Sequence, residues 1–118
     1  MEIFHDELVA RLDDPGLTVL DVRSAGEFSG EAGYACDLRQ GHIPGARHLD
    51  IHELAACPGQ EAVRELVALP VGAEIAAYCH SGSRSAWAVE ILVDAGYHAR
   101  NYAGSWHAWS HLVAAPSG

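Results

Sequence analysis

The sequence has no apolar run that approaches the length of a membrane span, which takes about 20 residues. It also lacks the basic segment and short apolar stretch of a signal peptide, because its N-terminus is acidic. Its three cysteines are odd in number and irregularly spaced, which does not favour a disulfide framework. These absences predict a protein of the reducing cytoplasm, with no membrane as a partner.

Basic residues are scarce as well. The sequence has seven of them, all arginine, against 16 acidic residues, and its formal net charge is −9. A charge of this sign disfavours nucleic acid and anionic membranes as partners. A small anionic substrate would therefore depend on local positive potential, which backbone N–H groups can provide.

The length and composition favour one globular domain. A chain of 118 residues can bury one core but is too short for two ordinary domains. Apolar residues make up 49% and charged residues 19%, which is typical of a folded chain rather than a disordered one. We therefore predict a single domain over residues 1–118, with a frayed tail at 114–118.

Apolar segments alternate with segments of helical periodicity along the chain. The predicted strands are 17–22, 47–50, 74–78 and 97–102. The predicted helices are 3–12, 51–56, 60–69, one that begins at 85, and 104–113. This alternation predicts an α/β fold with a central parallel sheet, and in such sheets the functional site lies at the carboxyl ends of the strands.

One stretch carries the strongest chemical signal. The strand at 74–78 is followed by six polar, small or glycine positions from Cys79 to Arg84, and helical periodicity then begins at Ser85. The first turn of a helix has unpaired N–H groups and a positive dipole end, which bind anions. A cysteine at the start of such a loop should have a lowered pKa, and its thiolate is a nucleophile. Cys79 is therefore the predicted catalytic residue.

The loop resembles the active-site loop of the rhodanese (sulfurtransferase) family, which has the form C-x-x-G-x-R-S. Three further segments resemble that family's other signatures and occur in the same order as in the family. They are Asp21-Val22-Arg23 with Glu27-Phe28, then Gly41-His42-Ile43-Pro44-Gly45-Ala46, then Ala103-Gly104-Ser105 with Trp109. The resemblance implies a three-layer fold whose central parallel sheet has five strands flanked by helices.

The resemblance also implies an activity. Cys79 would take the outer sulfur of thiosulfate or a related persulfide donor, hold it as a persulfide, and pass it to cyanide, a thiol or a protein acceptor. No cofactor is implied. The residues implied to bind the substrate are His80, Ser81, Gly82, Ser83, Arg84 and Arg23, and those implied to support the site are Asp21, Glu27 and Ser85. A persulfide carrier or partner-binding module with little turnover is the alternative, since it would need the same cysteine and loop.

The spacing of Cys79 and Arg84 separates two chemistries. Phosphatases and arsenate reductases of similar architecture carry a loop that is one residue longer, with the pattern C-x5-R, which fits a tetrahedral oxyanion. Here four residues lie between Cys79 and Arg84. We expect this loop to be too tight for phosphate, which favours sulfur transfer.

Glu27 has two candidate roles. With Ser24 three residues before it, Glu27 fits a capping box at the start of a short helix. The family resemblance implies instead that Glu27 pairs with Arg84 and shapes the loop. The sequence leaves both interpretations open.

Residues 29–40 form an insertion relative to compact members of the family. This segment either lies over the mouth of the active site or is a solvated surface loop. In the first case Cys36 is a candidate resolving thiol, which would release the Cys79 persulfide as a disulfide. The sequence leaves this hypothesis open as well.

Two histidine pairs have the i, i+4 spacing of metal ligands on a helix, His48 with His52 and His107 with His111. A metal site needs at least a third ligand. Since none is recognisable from the sequence, we predict no metal site.

Overall fold

Apolar segments of the chain form a parallel sheet at the centre of the molecule. The computed structural model describes residues 1–112, so residue 113 of the last predicted helix and the predicted tail at 114–118 lie outside the described residues. The strands are β1 (Leu17–Asp21), β2 (Arg47–His48), β3 (Glu74–Tyr78) and β4 (His98–Asn101). They are parallel throughout, in the order β2-β1-β3-β4, which confirms the predicted α/β fold with a parallel sheet.

The predicted count of five strands is wrong, because residues 1–112 form four. Beyond β4, at the position of a fifth strand, a single parallel bridge joins Glu2 to Asn101. The N–H group of Ile3 donates to the carbonyl of Asn101 at 3.1 Å. Helix α1 begins at His5, so the chain leaves the extended conformation shortly after this bridge.

The helices of residues 1–112 cover both faces of the sheet. They are α1 (His5–Ala10), α2 (Ala25–Ser29), α3 (Ile51–Ala55), α4 (Gln60–Val67), α5 (Ser83–Asp94) and α6 (Ser105–Leu112). Helix α5 begins two residues earlier than predicted, because Gly82 turns the chain with φ 102°. None of these helices combines the length and apolar character that a bilayer crossing requires.

The core is divided into two apolar clusters. Leu20 belongs to the cluster that contains residues of α3, α4 and α5, whereas its neighbour Val19 belongs to the cluster that contains residues of α1 and α6. Successive side chains of a strand point to opposite faces, so the two clusters lie on opposite sides of the sheet. This arrangement is the predicted three-layer fold.

The parallel register brings the ends of three strands to one edge. Asp21, the last residue of β1, is paired with Tyr78, the last residue of β3. Asn101, the last residue of β4, is paired with Ala77. Cys79 directly follows β3, so it lies at the carboxyl edge of the sheet beside polar residues that end the neighbouring strands.

Candidate active site

The loop after β3 folds tightly around the sulfur of Cys79. Cys79 is buried, with 1% of its surface exposed. The N–H group of Gly82 donates to Sγ at 3.0 Å, and the Ser85 hydroxyl lies 3.4 Å from it. A Cβ atom at position 82 would lie 2.5 Å from the carbonyl oxygen of Ala103. Glycine is therefore required here by the positive φ and by the close approach of a second backbone.

This loop stabilises the thiolate of Cys79. Burial favours the neutral thiol, but hydrogen bonds from the Ser85 hydroxyl and from the N–H groups of Ser85, Gly82 and Ser81 outweigh burial and lower the pKa of Cys79. Since the thiolate is the reactive form of cysteine, the geometry prepares a nucleophile. The donors are backbone N–H groups and one hydroxyl, so they carry no net charge and work within an acidic protein.

Asn101 positions the Ser85 hydroxyl next to the sulfur. Ser85 Oγ lies 2.6 Å from Asn101 Oδ1 and 3.3 Å from the Gly82 carbonyl oxygen, besides the sulfur. A hydroxyl has one proton, so Ser85 donates either to Asn101 Oδ1 or to the sulfur, whereas the N–H groups of Ser81, Gly82 and Ser85 donate to the sulfur in both cases. The amide nitrogen of Asn101 donates to the Gly82 carbonyl at 3.2 Å, which orients the amide so that its oxygen faces Ser85.

Ser105 connects α6 to the start of the loop. Its Oγ accepts a hydrogen bond from the N–H group of Cys79 at 3.0 Å and donates to the Tyr102 carbonyl at 2.8 Å. The same oxygen lies 4.0 Å from the Cys79 sulfur. Ser105 adopts φ 57°, a left-handed conformation that is uncommon outside glycine. This conformation holds the Ser105 hydroxyl beside the N–H group and the sulfur of Cys79.

Glu27 makes both of the interactions that the sequence left open. Its carboxylate accepts two hydrogen bonds from the Arg84 guanidinium, at 2.9 and 3.1 Å. It also accepts from the N–H group of Ser24, while the Ser24 hydroxyl accepts from the N–H group of Glu27, which completes a capping box. Burial opposes the charged carboxylate, but these hydrogen bonds lower the pKa of Glu27 to about 2.

Arg23 lies in the core, with 1% of its surface exposed. Its guanidinium donates to the Asp21 carboxylate at 2.7 to 3.1 Å and to the Gly41 carbonyl at 2.5 Å. It also lies 5.5 Å from the ring centre of Tyr78 and 5.2 Å from that of Trp106. Tyr78 donates its hydroxyl to Asp21 at 2.6 Å. The structure therefore places Arg23 and Asp21 in a buried polar network behind the loop, not at its surface.

The side chain of His80 points to the 29–40 segment instead of the sulfur. Its Nε2 atom lies 3.1 Å from Asp37 Oδ1, and its ring stacks on Tyr34 with centres 3.9 Å apart. The 29–40 segment therefore lies against the loop formed by residues 79–84. The side chains of Ser81 and Ser83 are exposed, and Ser83 is the first residue of α5.

Sequence reasoning missed the residues that hold the loop from outside it. Asn101 ends β4 and lies one residue before the end of the predicted strand 97–102, which was a usable signal, because polar side chains at the end of a strand face the carboxyl edge of a parallel sheet. Ser105 belongs to Ala103-Gly104-Ser105, one of the four segments that resemble the family's signatures, so the sequence also pointed to this residue. No local signal marked Asp37, since its contacts to His80 and His107 span 43 and 70 residues of sequence.

Comparisons of this chain with known proteins all point to one family. The rhodanese-like domain family matches residues 4–112. The thiosulfate sulfurtransferase of Corynebacterium glutamicum is 37% identical over 114 residues, which cover 86% of this chain and 38% of that protein. The sulfur carrier protein TtuD of Thermus thermophilus is 35% identical over 113 residues, which cover 83% of this chain and 40% of that protein. This chain therefore spans less than half of the length of these relatives.

Solved structures agree with these matches. A crystal structure of a probable thiosulfate sulfurtransferase has a TM-score of 0.81 at 40% identity, over 94% of this chain and 45% of that one. The human single-domain sulfurtransferase TSTD1 has a TM-score of 0.66 at 29% identity, over 92% of this chain and 93% of that one. The second similarity extends over nearly the whole of both chains.

Proposed function

Because this chain belongs to the rhodanese-like family, we propose that it is a sulfurtransferase that carries the transferred sulfur as a persulfide on Cys79. The observation that carries this proposal is the convergence of the Gly82 N–H group and the Ser85 hydroxyl on the buried sulfur. Such donors favour the thiolate before the reaction and the anionic persulfide after it. The names of the relatives, thiosulfate sulfurtransferase and sulfur carrier protein, support the same chemistry.

The proposed reaction is a double displacement. The Cys79 thiolate attacks the outer sulfur of thiosulfate, so that a bond forms from Sγ to that sulfur while its bond to the sulfonate sulfur breaks. Sulfite leaves with the electron pair. A thiolate or cyanide then attacks the outer sulfur of the persulfide, and Sγ leaves as a thiolate. No electrons or cofactor are needed beyond the two substrates.

We assign the remaining residues by their position. The N–H groups of Ser81 and Gly82 bind the anion at the sulfur, and the partly exposed side chains of His80 and Arg84 line the entrance with the exposed Ser83. Four residues hold the loop in place through the contacts described for them: Asp21, Arg23, Glu27 and Ser85. Arg23 is a positioning residue in this proposal, because its guanidinium is paired with Asp21 in the core.

A persulfide carrier with slow turnover of thiosulfate is the second candidate, and the name of the Thermus thermophilus relative favours it. The two candidates differ in their acceptor. An enzyme would transfer sulfur to cyanide rapidly, whereas a carrier would react slowly with cyanide and rapidly with a protein thiol. We further propose that the chain acts as one domain in the cytoplasm, where its free cysteines would stay reduced.

Intact mass spectrometry after incubation with thiosulfate tests the proposal. We expect the wild type to gain one sulfur, about 32 Da, and to lose it on addition of cyanide. Cys79→Ser should show no gain, and Cys57→Ser, which changes a cysteine outside the loop, should behave as the wild type does. The absence of a gain in the wild type would exclude thiosulfate as the donor. A gain that persists in Cys79→Ser would contradict the assignment of the nucleophile.

A further inference from the structure

Four potential metal ligands from separate parts of the chain meet beside the catalytic loop. They are Cys36 and Asp37 from the 29–40 segment, His80 from the loop, and His107 from α6, and one atom of each lies within 4.8 Å of the others. Asp37 Oδ1 is 2.9 Å from His107 Nδ1 and 3.1 Å from His80 Nε2. Cys36 Sγ is 3.8 Å from His107 Nδ1 and 3.9 Å from Asp37 Oδ1.

These distances match the spacing of ligands around a tetrahedral ion. Bonds of about 2.3 Å from zinc to sulfur and about 2.0–2.2 Å to nitrogen or oxygen place neighbouring ligand atoms roughly 3.2–3.7 Å apart. The four distances that Asp37 and Cys36 make in this cluster run from 2.9 to 3.9 Å and bracket that interval. All four ligand atoms lie within 4.8 Å of one another, so shifts of about one ångström would bring the widest pair to that spacing.

Asp37 provides a second and independent observation. Its side chain has 0% exposed surface, and its Oδ2 atom makes no hydrogen bond within residues 1–112. Both histidines approach Oδ1 and leave Oδ2 without a partner. A buried carboxylate oxygen without a partner is costly and rare in native proteins. A cation held by this carboxylate would provide the compensation that the protein atoms do not.

The candidate ligands are already held in place by their surroundings. The N–H group of His107 donates to the His80 carbonyl at 3.0 Å, which fixes α6 against the loop. The Tyr34 ring stacks on the His80 ring, and His111 Nε2 lies 3.0 Å from the Cys36 carbonyl oxygen. A site whose ligands are oriented by such supporting contacts binds an ion with little rearrangement.

We propose that Cys36, Asp37, His80 and His107 form a Zn²⁺ site that ties the 29–40 segment and α6 to the catalytic loop. One thiolate, two imidazoles and one carboxylate are a donor set that suits zinc, and four protein ligands close the coordination sphere as in structural sites. The sequence prediction of no metal site considered His107 only with His111. In the tertiary structure His107 also lies beside Cys36, Asp37 and His80. The site stands independently of sulfur transfer at Cys79.

Cobalt titration of metal-free protein tests this site without using activity. The full chain carrying Cys79→Ser is treated with a chelator, so that the nucleophile contributes no thiolate, and is titrated with Co²⁺ and then Zn²⁺. We expect one equivalent of Co²⁺ to give the absorption of a tetrahedral ion with a thiolate charge-transfer band, and Zn²⁺ to displace it. Adding Cys36→Ser should remove the charge-transfer band and weaken binding by more than about tenfold. Adding Cys57→Ser is the matched control and should change neither.

Further variants separate ligands from neighbours. Asp37→Asn and His107→Ala should each weaken Co²⁺ binding by more than about tenfold, whereas His98→Ala, at an exposed position outside the cluster, should not. Zn²⁺ should also raise the melting temperature of the parent protein, because an ion that binds the native state stabilises it. It should not raise that of Cys36→Ser, which lacks one of the proposed ligands.

Two outcomes would overturn the proposal. One is the lack of saturable Co²⁺ or Zn²⁺ binding to the folded parent protein. The other is binding that Cys36→Ser leaves unchanged. If a variant does not fold, X-ray absorption of the Zn²⁺-loaded parent decides the matter, since the proposed site predicts one sulfur ligand and three nitrogen or oxygen ligands. A spectrum without sulfur would contradict it.

Discussion

Arg84, in the first turn of α5, donates two hydrogen bonds to Glu27 in α2, at 2.9 and 3.1 Å. The pair joins the end of the loop at 79–84 to the helix that follows β1. Glu27 accepts from the N–H group of Ser24 as well, so one carboxylate both caps its own helix and holds the arginine. A bidentate pair of this kind sets direction as well as distance, which keeps the loop in one shape.

The Glu27–Arg84 pair should make stability depend on pH in the acid range. The pKa of Glu27 is about 2 in the folded protein, below the roughly 4.3 of an unfolded chain. The stabilisation is therefore complete above pH about 4.3 and is lost as the pH falls toward about 2. Between those values the free energy of unfolding of the wild type should fall by up to about 3 kcal/mol more than that of Glu27→Gln.

Urea denaturation at several pH values measures this difference. Glu90→Gln, which changes an exposed glutamate on α5, is the control and should follow the wild type. Equal acid dependence in the wild type and Glu27→Gln would show that the pair does not contribute.

Removing the Ser85 hydroxyl should raise the pKa of the Cys79 thiol. The hydroxyl lies 3.4 Å from Sγ and helps to outweigh burial, so Ser85→Ala should shift the pKa of Cys79 upward. The fraction of thiolate at neutral pH would fall, and alkylation and sulfur transfer would need a higher pH. The pH profile of Cys79 alkylation, followed by peptide mass spectrometry, measures the shift. Ser29→Ala, at an exposed position outside the loop, should leave the profile unchanged.

Gly82→Ala should be more damaging than an alanine at an open glycine of similar conformation. Gly82 has φ 102° and a Cβ there would meet the Ala103 carbonyl oxygen at 2.5 Å, whereas Gly72 has φ 89° and open space around it. Gly72→Ala should cost about 1–2 kcal/mol for the backbone conformation alone. Gly82→Ala should cost about 1–3 kcal/mol more and also slow alkylation of Cys79, because the N–H donor moves. Equal losses of stability on denaturation and equal alkylation rates of Cys79 in the two variants would contradict this account of the loop.

Asp21→Asn should lower the free energy of unfolding more than a substitution in a surface ion pair does. Asp21 and Arg23 are both buried, so removing the carboxylate leaves the guanidinium charge without its partner in the core. We expect a loss of about 3–5 kcal/mol in the free energy of unfolding. Asp14→Asn, which weakens a half-exposed ion pair with Arg11, should cost far less. Chemical denaturation compares the two, and similar losses would contradict the role of the buried pair.

Several features of the fold were predictable because they depend on short-range patterns. The strand at Glu74–Tyr78, the loop that begins at Cys79 and the helix that follows are neighbours in sequence, and their periodicity identified them. The capping box of Ser24 and Glu27 spans three residues and was equally readable. The error in strand number arose where the resemblance implied a fifth strand and residues 1–112 form only a single bridge, between Glu2 and Asn101.

The sequence by itself therefore determined the parallel α/β architecture and the position of Cys79 after a buried strand, because both follow from hydrophobic periodicity and local turn chemistry. Tertiary structure alone decided which distant groups meet at that cysteine. Ser105 and Asn101 approach the loop only because β4 pairs with β3 in one register. The contact of Asp37 with His107 likewise depends on how the 29–40 segment packs against α6. Contacts of this kind are set by the packing of whole elements, which no local pattern encodes.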